Sequence, residues 1–103
     1  MLNIQKQDDR ATRTLTLSGR VDTVTAPELE AAVFTNADGI TAVILDMENL
    51  EYISSAGLRV LLAAQKRFAE GGGVTVRRPN ETVAEVLDMT GFSDILKVER
   101  DGE

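Results

Sequence analysis

The sequence predicts an α/β domain on a mixed β-sheet, with helices gathered mainly on one face. Three observations predict it. Two early stretches alternate apolar and polar residues. A continuous apolar run at 41–45 lies between two segments of helical spacing. Glycine or proline marks most changes of pattern. The 103 residues fit a single domain spanning 1–103. A chain of this size buries roughly two-thirds of its unfolded surface, enough for a core without covalent staples.

The elements follow in order. Leu2 and Ile4 alternate with polar neighbours, as an edge strand does. Gln7-Asp8-Asp9-Arg10 reads as a polar turn into a second strand over 13–19, with Leu15 and Leu17 on one face. Thr25-Ala26-Pro27-Glu28 starts a helix, with Thr25 as cap, Pro27 in the first turn and Glu28 three residues after the cap. Leu29, Ala32 and Val33 form its apolar stripe, and Asp38-Gly39 ends it. The 41–45 run fits a central strand, followed by a loop over 47–54. Helical spacing of Leu58, Leu61, Leu62, Gln65, Phe68 and Ala69 predicts a helix from about 55 to 70, stopped by Gly71-Gly72-Gly73. Residues 74–78 alternate as a strand with one face toward water. Asn80 caps a last helix that turns Val83, Val86 and Leu87 inward, and Gly91 closes it. A short final strand covers 95–98. The order is β-β-α-β-α-β-α plus that strand, and its βαβ units imply parallel pairing through right-handed crossovers.

Composition removes several chemistries. The chain has neither cysteine nor histidine. Ser-His-Asp and Cys-His catalysis and zinc sites on those ligands are therefore gone. Seventeen acidic residues against eleven basic ones give a net charge of −6, which argues against nucleic acid and permits a basic protein partner. No apolar run approaches the ~18 residues of a membrane span, so no membrane insertion is expected. The opening six residues alternate and turn charged, unlike a signal peptide, and the cytoplasm is the expected location. Asp8-Asp9, Glu48 and Glu51 match no calcium loop, so no metal is expected. Gly71-Gly72-Gly73 follows a helix and precedes a strand, the reverse of a phosphate cradle, so no cofactor is expected.

Ser54 and Ser55 stand where the second helix begins. One reading makes Ser54 the helix cap and Ser55 an ordinary first-turn residue. The other makes one hydroxyl a phosphate acceptor, because free N–H groups and the helix dipole favour an anion there. Gly57, unfavourable in a helix, fits close approach by a partner. A nucleophile elbow is excluded, since Ile53 stands two residues before Ser55 where glycine is required. Asp46 closes the central strand where a receiver domain would keep a phosphorylated aspartate. The acidic pair and lysine of that family are missing, which leaves Asp46 as a loop anchor.

Asp46-x-x-x-Leu50-x-Tyr52-Ile53-Ser54-Ser55-Ala56-Gly57-Leu58-Arg59-x-Leu61-Leu62 resembles the signature of STAS domains, especially bacterial anti-sigma-factor antagonists. Leu17-x-Gly19-x-Val21-Asp22 resembles the family's second strand and turn, and Leu87-Asp88-Met89-Thr90-Gly91-Phe92 its late helix end. The likeness runs almost the full length. Many members carry Asp-Ser-Ser-Gly where this chain has Ser54-Ser55-Ala56-Gly57. The resemblance implies a non-enzymatic switch. Unphosphorylated protein would bind an anti-sigma factor with serine kinase activity and so free the sigma factor. Phosphorylation of Ser55, with Ser54 as second choice, would release it, and a metal-dependent serine phosphatase would reset it. The implied partner surface comprises Asp22, Thr23, Tyr52, Ile53, Ser54, Ser55, Ala56, Gly57 and Arg59. Two alternatives are a non-phosphorylated STAS subunit of a transport complex, such as a lipid ABC transporter, and a nucleotide-binding sensor.

Overall fold

A computed structural model describes residues 1–100. Among them run β1 (Leu2–Asp9), β2 (Thr12–Val21), α1 (Ala26–Phe34), β3 (Ala42–Ile53), α2 (Ser55–Phe68), β4 (Gly73–Arg77), α3 (Glu81–Met89), α4 (Phe92–Ile95) and β5 (Lys97–Glu99). The strands lie side by side in chain order, with β1 antiparallel to β2 and every later pair parallel. The predicted mixed sheet is present.

Register explains the two faces. Leu15, Leu45, Val76 and Val98 fall in line across four strands, as do Val43 and Val74. Most are fully buried. Thr14, Ile44 and Thr75 point the other way and stay half-exposed. α1 and α2 pack together over the apolar side, and α3 packs on β3. A period of two thus gives the sheet one closed face and one half-open face.

Arg13 shows how the first helix is held. It lies on the closed side and is fully buried. Its Nε and Nη2 donate to the Asp8 carboxylate at 2.8 and 3.0 Å. Its Nη1 donates to the carbonyls of Ala32, Val33 and Thr35, and Nη2 to that of Asn36. A cation therefore closes the C-terminal end of α1, where carbonyls lack helical donors. Asn36 adopts a left-handed backbone (φ 53°) just beyond.

Several expectations need correction. α1 ends at Phe34 rather than at Gly39, because Arg13 and Asn36 terminate it first. Thr25 holds the cap position without capping: its hydroxyl accepts from Asp22 N–H and donates to the Arg20 carbonyl. The first hairpin is longer than expected, and its turn shrinks to Arg10 and Ala11. Gly91 leads into α4, which takes Ile95 out of the last strand. The largest difference is β3. It continues through the stretch read as the loop 47–54 up to Ile53, because β2 supplies pairing partners after a register shift near Ser18. Asp46 thus lies inside the strand.

Candidate functional site

The end of β3 and the start of α2 form the site. Ile53 pairs with Val21 and is buried. The Ser54 N–H donates to the Val21 carbonyl at 2.8 Å, and the Ser54 carbonyl accepts from Leu58 N–H at 3.0 Å. Ser54 is therefore the residue where strand pairing hands over to helix bonding. Its backbone is extended, as a cap requires, yet its side chain makes no cap bond. Instead its Oγ is buried and without a partner. Ser55 is the first residue of α2 and is exposed.

Gly57 has a packing reason. A Cβ there would lie 2.6 Å from both Ile53 Cγ1 and Val21 Cγ1. Lacking one, the first turn of α2 settles directly on the ends of β2 and β3. Ile53 and Gly57 are both buried, so they shape the surface from beneath.

The turn before α1 stands beside this surface. Asp22 Oδ1 accepts from the N–H groups of Val24 (2.9 Å) and Thr25 (3.0 Å) and from the Thr25 hydroxyl. The Thr25 N–H, above all, holds this carboxyl below the usual carboxylate range. The bonds fix a turn that presents Thr23 and Val24 to solvent, Val24 being 81% exposed. Between α1 and α2 runs a groove of about 260 Å³, lined by Thr23, Pro27 and Glu30 on one side and Ala56 and Arg59 on the other. Tyr52 flanks the site at the sheet end, with the Arg20 guanidinium 4.8 Å above its ring.

Of the sequence-predicted residues, Thr23, Ala56 and Arg59 line this groove, while Asp22, Tyr52, Ser54 and Ser55 lie on the turn and strand–helix junction that frame it. Sequence reasoning missed Val24, Pro27, Glu30 and Arg20. The alternation of Arg20 and Tyr52 at strand ends was the available signal for that pair. Asp46 and Glu48 are engaged with each other and with β4's end: both pair with Arg78, and Asp46 also accepts from Glu48 N–H. Among the described residues no group of three acidic, histidine or cysteine side chains is placed to hold a metal. No helix there is long and apolar enough to cross a membrane.

Comparison with known proteins places this geometry. The anti-sigma factor antagonist BtrV of Bordetella bronchiseptica is 40% identical over 86 residues, 80% of this chain and 72% of that protein. The anti-sigma-F factor antagonist RsfB of Mycobacterium tuberculosis is 30% identical over 87 residues, 76% of this chain and 70% of its own. The crystal structure of an anti-sigma factor antagonist from Mycobacterium paratuberculosis superposes with a TM-score of 0.85 at 25% identity, covering 96% of this chain and 86% of that one. Residues 3–102 match the STAS domain. The chain therefore belongs to the STAS domain family, among the members named anti-sigma factor antagonists.

Proposed function

We propose that the protein is an anti-sigma-factor antagonist that works by partner switching. Unphosphorylated, it docks an anti-sigma factor with serine kinase activity through the α1–α2 groove and the 22–24 turn, and so frees a sigma factor. Transfer of the ATP γ-phosphoryl group to Ser55 Oγ, with ADP as the leaving group, ends that complex. A metal-dependent serine phosphatase returns the hydroxyl by hydrolysis. The protein serves as substrate and binding module, and its place of action is the cytoplasm.

One observation carries this reading: Ser55 is exposed at the first turn of α2, beside the groove, while the neighbouring Ser54 hydroxyl is buried. A kinase reaches the first without disturbing the core. The helix start tolerates the product, because its free N–H groups and dipole favour an anion. The docked partner does not. A phosphate brings about −1.5 to −2 charges, and burying it without compensation costs several kcal/mol. A loss of about 3 kcal/mol weakens binding roughly a hundredfold.

The test is incubation with the candidate kinase and ATP, followed by mass spectrometric location of the phosphate. Modification of Ser55 is expected. Modification of Ser54, or none, contradicts the proposal.

A further inference from the structure

Ser55 and Arg59 are four residues apart in α2, and both are exposed. Four residues make about one turn, a rise of about 6 Å, so the two share a face. Long helical side chains lean toward the helix N-terminus, which brings a residue's tip over the turn before it. An Arg59 side chain extended in that direction would lie over the turn that carries Ser55. Arg13, Arg77 and Arg78 pair with carboxylates elsewhere, and Arg20 lies over the Tyr52 ring. Arg59 makes no hydrogen bond or ion pair among the described residues, and it is the only cation on the groove lining. Glu30 of α1 lines the same groove, and Asp22 lies in the adjoining turn.

We infer that Arg59 is a positioning residue for the phosphate on Ser55, closing on it along α2 and leaving the groove to do so; this rests on the phosphorylation proposed above. The chemistry suits the pair, because a guanidinium offers a planar fork of donors to phosphate oxygens. One cation then serves two states. With a free hydroxyl at 55, Arg59 balances Glu30 at the docking groove. With a phosphate at 55, Arg59 turns to it, and Glu30 faces the partner unbalanced. Phosphorylation changes the docking surface twice, by adding a dianion and by withdrawing a cation.

The experiment needs no kinase. Phosphoserine is installed at position 55 of the full chain by codon suppression, and its second ionisation is followed by phosphorus NMR. An adjacent cation favours the dianion, so the ionisation is expected about 0.15–0.4 of a pH unit lower with Arg59 than in Arg59→Gln. The difference should shrink in about 0.5 M sodium chloride, and Arg59→Lys should restore much of it. Coincident titrations of the parent and Arg59→Gln, with both folded by circular dichroism, overturn the inference. A phosphate found elsewhere in the kinase reaction overturns the function above and leaves this titration unaffected, so the two failures are distinguishable.

Discussion

At the residue scale, Arg13 and the phosphate proposed at Ser55 are opposite uses of an ionic group. Arg13 is buried and structural, serving four carbonyls and Asp8 at once. Arg13→Ala strips all of them of a donor and should cost about 3 kcal/mol in chemical denaturation. Asp8, with Asp22, ties stability to acid pH. Its hydrogen bond from Arg13 lowers its pKa below the ordinary 3.8. Its stabilising contribution is therefore complete above that value and disappears as pH falls through the lower folded one. Asp8→Asn should be less stable than the parent at neutral pH, with the gap closing as pH falls below 3.8 and through the lower folded value. A gap that holds constant through the acid range would show that the Asp8–Arg13 pair contributes nothing titratable. Ser55 is exposed and is the residue proposed to carry the switch. Ser55→Ala should bind the kinase partner at parental strength or better even with ATP present, and Ser55→Asp should bind weakly while remaining folded. Both are read by pull-down and circular dichroism, and parental binding by both variants under phosphorylating conditions would contradict the switch.

At the element scale, the start of α2 is shaped by packing. Gly57→Ala pushes a methyl into Ile53 and Val21, and should destabilise by about 1–3 kcal/mol in urea titration. An unchanged midpoint would mean that the helix shifts freely. Asn80 caps α3 through Val83 N–H and also donates to the Leu50 carbonyl at 2.6 Å. β4 is paired with β3 only up to Asp46, so Asn80 supports the later half of that strand. Asn80→Ala should cost about 1–2 kcal/mol and speed amide exchange over 48–53; exchange at the parental rate would contradict that support. The Asn80 cap was legible because its donor lies three residues away. α2 was legible from its stripe, and the serine pair from its place at the helix start. The later half of β3 was not, because Glu48-Asn49 and Glu51 read as loop, and its strand character comes from β2 across a shifted register. Arg13 was equally hidden: its acceptors lie about twenty residues on, at the end of a helix. The Thr25 cap failed for a related reason, since Asp22 and Arg20 compete for its hydroxyl. Local pattern finds partners within a turn, and tertiary pairing decides the rest.

At the scale of the whole molecule, the sheet and its helices hold the proposed modification site at one corner. The sheet and two helices fix the groove, and the 22–24 turn is locked by Asp22. A phosphate at the rim takes the net charge from −6 to about −8 without touching the core. The same charge change that the scaffold tolerates should be felt by any protein docked on that corner, and more strongly at low salt. The most direct measurement compares the affinity of the kinase partner for the full chain carrying serine and for the chain carrying phosphoserine at 55, using titration calorimetry alongside thermal unfolding. The expected result is a loss of roughly a hundredfold in affinity with little change in melting temperature. Equal affinity for the two forms, or a phosphorylated chain that unfolds, would contradict a switch that acts at the docking surface alone.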